Sequence, residues 1–316
     1  MSVWIFMLFL PFLNSALGTD QIQIPDKPFL IIGADCGEGL DSTTTVWDVA
    51  MDDQSNLYVV DKANGRVFKT NPNGTFLCEI ANRSMGNASL GNILWARDTL
   101  WVIDIAGEKI LMFQHDKWVK DIKLTFRPYS LVNLGQLICV CPMYPDGEFV
   151  LLDFSGKRVR SFHTDPNIAG NLSFVSRPPE PNLWRVIKTI GVDDSQLLLN
   201  FTYYTKMAFI DLSGKLLSEW DTSTTFFSRS RESRFGTVPR FFSTTSTAMG
   251  PRGAIWVSSC SKDKPFCGRL SRFHPKSLEL IQTLDMQKSI RRIRFFNHGK
   301  TLAIFFDEGV YFYQLT

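Results

Sequence analysis

The chain has 316 residues, 44% hydrophobic and 21% charged, the proportions of an ordinary globular protein long enough to bury a large core. Its 34 Lys and Arg against 31 Asp and Glu leave a net charge of +3, too small to imply a nucleic-acid partner. Phe is abundant at 26 residues and favours strands together with Trp and Tyr; a chain of this length is compatible with a single all-β domain.

At the N-terminus, Val3 to Leu13 is an apolar run interrupted only by Pro11, and Ala16-Leu17-Gly18 places small residues for cleavage after Gly18. That is the layout of a secretory signal peptide over residues 1–18, without the usual Lys or Arg in its first segment. The run is too short to span a bilayer as a helix, and no other run is long and apolar enough. The expectation is an exported chain, secreted or, in a bacterium, periplasmic, with residues 19–316 forming one domain that does not span the membrane.

Lys27 to Gly33 is an isolated apolar strand. The most regular stretch follows. Trp47-Asp48-Val49-Ala50-Met51-Asp52, Leu57-Tyr58-Val59-Val60-Asp61, Asn64-Gly65-Arg66-Val67-Phe68-Lys69 and the run from Phe76 to Ile80 alternate with turns rich in Asp, Asn and Gly. They read as four antiparallel strands in order. A second copy runs from Gly91 to Leu124, and Tyr58-Val59-Val60-Asp61 aligns with Trp101-Val102-Ile103-Asp104 at an offset of 43 residues. Weaker copies start near Leu137, Leu197 and Ala254. The third and fourth share an Asp-(Phe/Leu)-Ser-Gly-Lys turn at Asp153 and Asp211. A sixth copy, from Ile290 to Tyr313, is one strand short.

A four-stranded unit repeating at this period marks a β-propeller blade. The expected architecture is a six-bladed β-propeller of four-stranded antiparallel blades, in which Lys27–Gly33 supplies the missing strand of the last blade and closes the ring. Two long connections, Thr164 to Asn182 and Asp221 to Arg240, read as loops joining outer to inner strands on one face of the disc. The second carries Ser228-Arg229-Ser230-Arg231-Glu232-Ser233-Arg234 and reads as a solvated loop.

The motifs of the first blade, Asp48 to Asp52, Leu57 to Asp61 and Asn64 to Lys69, resemble the NHL-repeat family of propellers, and more broadly the secreted NHL-like and TolB-like six-bladed proteins. That group includes binding scaffolds, lactonases and lyases, so the resemblance implies the fold and leaves the function open. Four scattered histidines (His115, His163, His274, His298) show no paired ligand spacing, and no G-x-S-x-G elbow accompanies the Ser/Thr tracts. Similarity to the calcium lactonases of this superfold makes Asp48, Asn133 and Asn200 conceivable oxygen ligands, with calcium as a possible cofactor. Asp61 and Asp104 read as turn residues that accept backbone N–H bonds.

Arg292 and Arg294 share one face of the expected innermost strand of the sixth blade, and Arg185 and Lys188 lie on the corresponding strand of the fourth. These four are the candidate residues for an anionic ligand at the axis; pairing with carboxylates between blades is the structural alternative. Cys260 and Cys267 bracket a turn-like segment and could form a disulfide, whereas Cys139 and Cys141 read as buried free thiols. Of the N-x-S/T sequons, Asn73, Asn82 and Asn87 fall in turns and are candidate glycosylation sites, while Asn200 lies within a strand. The functional expectation is a monomeric binding scaffold engaging a protein, peptide or glycan on the loop-rich face, without an obligatory cofactor. The alternative is a calcium-dependent hydrolase or lyase with an axial site.

Overall fold

In a computed structural model of the protein, the apolar runs form strands because Val, Ile, Phe and Trp pack well on a pleated surface. The structure describes residues 22–33, 44–82, 89–144, 147–165, 168, 187–201, 206–221, 231–233, 236–238, 244–259 and 268–316. Blade 1 is β2 (Val46–Met51), β3 (Leu57–Asp61), β4 (Arg66–Thr70) and β5 (Phe76–Ala81). Blade 2 is β6 (Leu90–Ala96), β7 (Thr99–Asp104), β8 (Lys109–Gln114) and β9 (Lys117–Lys123). Blade 3 is β10 (Pro128–Asn133), β11 (Ile138–Pro142), β12 (Phe149–Leu152) and β13 (Arg158–Phe162). Blade 4 is β14 (Ile187–Gly191), β15 (Gln196–Phe201), β16 (Lys206–Asp211) and β17 (Leu216–Asp221). A short ribbon of β18 (Arg231–Ser233) and β19 (Gly236–Val238) precedes blade 5, which is β20 (Thr244–Met249), β21 (Ile255–Ser259), β22 (Arg269–Phe273) and β23 (Leu280–Asp285). Blade 6 combines β24 (Arg292–Phe296), β25 (Thr301–Phe305) and β26 (Gly309–Gln314) with β1 (Leu30–Gly33).

Each blade is an antiparallel meander, and the last has the order β1-β26-β25-β24. The N-terminal strand therefore completes the sixth blade, with Leu30 opposite Phe312 and Gly33 opposite Gly309. At Gly33 the chains run so close that a Cβ would stand 2.3 Å from the Glu308 carbonyl oxygen, so a side chain has no room. The ribbon of β18 and β19 departs from the solvated loop expected there: Arg231 pairs with Val238 and Ser233 with Gly236 in antiparallel register. The rest of the two long connections lies largely outside the described residues, as do residues 1–18.

The described hydrophobic clusters follow the seams between blades. Strand alternation explains them. On β3, Leu57 and Val59 pack toward blade 6, while Tyr58 and Val60 pack toward blade 2. On β11, Ile138 and Val140 face blade 2 and Cys139 and Cys141 face blade 4. A strand buried on both faces reads as an unbroken apolar run, which is why these second strands stand out in the sequence. The two thiols of β11 are free and fully buried, with sulfurs 3.7 Å apart, and burial pushes the Cys139 thiol well above its ordinary range. Among the described residues no helix is long and apolar enough to cross a membrane.

The Asp-rich turns work as their chemistry requires. Asp61 accepts from the Thr45 and Asn64 amides, and Asp104 from the Gly107 amide. Asp153 and Asp211 each accept from a Ser amide and hydroxyl two residues on and from a Lys amide four residues on.

Closure by β1 makes one contrast testable. Ile32 is fully buried against blade 1, whereas Ile31, one position earlier, is 37% exposed. Ile32→Ala is expected to cost about 2–5 kcal/mol in urea unfolding, and Ile31→Ala to stay within about 0.5 kcal/mol. Equal effects would mean that β1 does not hold its place in solution.

Candidate functional site

The innermost strands β2, β6, β10, β14, β20 and β24 surround the axis. Four of them carry a register shift in their N-terminal half, at Val46/Asp48, Leu90/Ile93, Pro128/Ser130 and Thr244/Ser246. Such a bulge takes backbone groups out of the ladder and re-aims side chains. Aligned on their partner strands, six residues occupy one level of the ring: Asp48, Asn92, Ser130, Lys188, Ser246 and Arg292. Every one is polar. Two residues on, the next level reads Ala50, Leu94, Val132, Ile190, Ala248 and Arg294. Arg294 is the single charged side chain in an otherwise apolar layer.

The polar level is stitched from blade to blade. Asp48 accepts from the Ile93 amide at 3.1 Å, Asn92 Oδ1 from the Leu131 amide at 2.9 Å, and Ser246 Oγ from the Ile293 amide at 3.2 Å. In each case a side chain of one blade satisfies a backbone amide of the next, as a buried amide requires.

Asp48 does more. Arg294 grips its carboxylate through Nε at 2.6 Å and Nη2 at 2.5 Å, the bidentate geometry that suits guanidinium to carboxylate. Arg292 Nη1 makes an ion pair with Oδ2 at 2.9 Å, and Asn92 Nδ2 donates to the same oxygen at 2.6 Å. The Asp48 side chain is wholly buried. Burial alone would raise its pKa, but the two guanidiniums outweigh it and hold the carboxyl below the usual carboxylate range.

A cavity of about 310 Å³ lies along the axis. Its wall includes Asn92, Ser130, Lys188, Ser246, Arg292 and Arg294 from the two levels. Thr189 and Thr247 also line it, and their hydroxyls, like that of Ser130, have no protein hydrogen-bond partner among the described residues. Lys188 is partly buried; burial first, and then the charge of Arg292, lower its pKa to about 7. Two guanidiniums thus meet a single carboxylate on this wall. Toward blade 1 the basic character continues: Lys62 lies 3.7 Å from the centre of the Trp47 ring, and Arg292 stands 5.5 Å from it.

Of the residues expected at the axis, the structure brings together Arg292, Arg294 and Lys188; Arg185 lies outside the described residues. The arginines pair with a carboxylate of the neighbouring blade, as the structural alternative has it, and they also line the cavity. The residues considered for calcium are arranged otherwise. Asp48 already carries two cationic groups, Asn133 lines the cavity but is exposed at the end of β10 with its Oδ1 on the Gly135 amide, and Asn200 is buried on β15 away from the cavity wall. Among the described residues no three His, Cys, Asp or Glu side chains converge in a metal-binding group. As placed, this donor set does not fit a calcium ion, which needs several oxygens and net negative charge. Asn73 is exposed in the turn between β4 and β5, and Asn82 donates to Glu79 at 2.6 Å. Asn87, Cys260 and Cys267 lie outside the described residues.

The fold and the site together define a six-bladed β-propeller with a basic axial cavity. The sequence matches no known protein family and no curated protein. Solved structures share the fold. Virginiamycin B lyase from Staphylococcus aureus is similar over 94% of this chain and 100% of its own, with a TM-score of 0.58 and 13% identity. The WD40 repeats of RRP9 are similar over 90% of this chain and 83% of theirs, with a TM-score of 0.61 and 10% identity. A chain of the mitotic checkpoint complex aligns over 99% of this chain and 98% of its own, with a TM-score of 0.60 and 11% identity. At these identities the likeness is one of fold, and it spans both a lyase and WD40 propellers.

Two expectations follow from the geometry. Asp48→Ala leaves two guanidiniums uncompensated at the ring's inner edge and is expected to cost about 3–5 kcal/mol in denaturant unfolding; a loss below 1 kcal/mol would mean that solvent compensates them. The second concerns pH. Unfolded Lys188 keeps its proton to about 10.5 and the native residue sheds it at about 7. Between those values the unfolded chain binds more protons, so stability contributed by this group rises as pH climbs from about 7 toward 10. Lys188→Met is expected to flatten that rise, leaving the remnant from Lys62, whose pKa burial, Arg292 and Arg291 also lower. An unchanged slope in the variant would contradict the assignment.

Proposed function

We propose that this chain is an exported, non-catalytic binding propeller of the NHL-like type that takes an acidic group of a protein, peptide or glycan ligand into its axial cavity. The observation that carries the reading is the charge count around Asp48: one buried carboxylate against the two guanidiniums of Arg292 and Arg294. An incoming carboxylate or sulfate would balance the second guanidinium. The segments 166–186 and 222–243 connect into the N-terminal ends of β14 and β20, the end at which the polar level stands. The NHL-like motifs of the first blade support the family assignment, and the expected signal peptide supports export. The likeness in fold to WD40 propellers is in keeping with a binding role.

The test compares a glutamate-rich peptide and an oligogalacturonide with a glutamine-substituted peptide and a neutral oligosaccharide. Acidic probes are expected to raise the unfolding temperature of the protein saturably and to lose this effect as salt rises. Arg292→Gln should abolish the shift without unfolding the ring, because Arg294 still holds Asp48 through two bonds. Equal shifts from neutral probes, no shift from any probe, or a shift retained in Arg292→Gln would overturn the proposal. Turnover of either probe would move the assignment to an enzyme.

A further inference from the structure

The axial cavity has two kinds of wall. At the polar level Arg294 already gives Asp48 two hydrogen bonds, through Nε and Nη2. Nη1 of Arg292 lies 2.9 Å from the same carboxylate, buried and without hydrogen-bond alignment. The second guanidinium is thus the one whose donors remain for another anion. Two residues further along the strands, ~6.6 Å away along the axis at the usual strand rise, the cavity is lined by Leu94, Val132, Ile190 and Ala248. Arg294 belongs to this second level by register, but its head reaches back to Asp48, so what it leaves in the layer is its methylene stem.

Such a wall selects by chemistry. A wholly polar anion satisfies Arg292 and gains nothing at the apolar level. A wholly apolar molecule gains there and leaves the guanidinium facing carbon. A molecule with one carboxylate on an apolar body meets both levels. The cavity holds about 310 Å³, room for about ten water-sized groups at ~30 Å³ each, which is the size of octanoate.

We propose that the axial cavity takes a small amphipathic monocarboxylate, an alkyl or aryl acid, with its carboxylate on Arg292 and its apolar body along Leu94, Val132, Ile190 and Ala248. The inference rests on the anion reading of this cavity and narrows it: the acid is one borne on an apolar body. Asp48 and the ligand together then match Arg292 and Arg294 in charge. Burial of the body supplies affinity that grows with its length, and the single carboxylate fixes its direction along the axis.

The experiment titrates the full chain calorimetrically at neutral pH and low salt with acetate, butyrate, hexanoate and octanoate, and with octanol as the neutral counterpart. Each added methylene is expected to tighten binding by up to about fourfold, with one octanoate per chain and octanol far weaker. Arg292→Gln should weaken octanoate by about tenfold or more, and Leu94→Asn should flatten the dependence on chain length. Folding of both variants is checked by circular dichroism; if either fails to fold, the length series and the octanol comparison on the unaltered protein decide. A flat length series, octanol equal to octanoate, more than one octanoate per chain, or octanoate binding unchanged in Arg292→Gln would overturn the inference. The glutamate-rich peptide, titrated in parallel, reads the anion site by itself. A response to that peptide with a flat length series sinks this inference and leaves the anion reading standing, whereas no response to either sinks both.

Discussion

A single buried carboxylate holds the inner edge of this ring together where its two ends meet. Asp48 belongs to the first blade and Arg292 and Arg294 to the last, and the pair Asp48–Arg294 is separated by 246 residues of chain. Closing a contact of such separation carries a large loop-closure cost. At the outer edge the same seam is closed by β1 lying on β26. The ring is thus fastened at both radii by different means: backbone hydrogen bonds outside, where an edge strand needs a partner, and charge inside, where a buried carboxylate needs cations.

Between these two fasteners the blades need little beyond alternation. Each second strand sends one set of side chains to the preceding blade and the other set to the following one, so the clusters fill the seams and the strand sequence loses its polar positions. The inner strands cannot follow this rule at their N-terminal halves. As the inner edge of each blade they present unpaired amides near the axis, four of them beside a register shift, and polar side chains reach across from the neighbouring blade to meet three of those amides. The polar level is therefore a structural consequence of converging strands. Its use for binding depends on which polar residues stand there.

Much of the architecture was legible in the sequence because the signals were local. The turn aspartates announced themselves through Asn64-Gly65, Gly107 and the Ser-Gly-Lys turns, and the orphan strand before the first blade matched the strand missing from the last. The i, i+2 spacing of Arg292 and Arg294 placed both on one face, and both do reach Asp48. The site was harder to read because its bonds join blades that are far apart in the chain. Asp48 was visible as an acid on an inner strand, and its partner could not be inferred from spacing. Asn92 and Ser130 carry no signal of their own, and Ser246 stands in a Ser/Thr tract that strand propensity explains, although aligning the six inner strands puts a polar residue at the same level of each. That alignment also isolates Arg294 among Ala50, Leu94, Val132, Ile190 and Ala248, a clue present in the sequence that becomes visible only once the register is known.

The charge count separates what the ring needs from what it carries in addition. Arg294 alone gives Asp48 a bidentate partner, and Asn92 with the Ile93 amide satisfies more of its lone pairs. Closure of the seam is then electrically complete with one guanidinium. Arg292 exceeds that requirement, adding a second guanidinium to a carboxylate that Arg294 already holds through two bonds. A charge beyond what the seam needs is the one whose presence calls for a function. In this propeller it lines the axial cavity, and the property it adds there is readiness to receive negative charge.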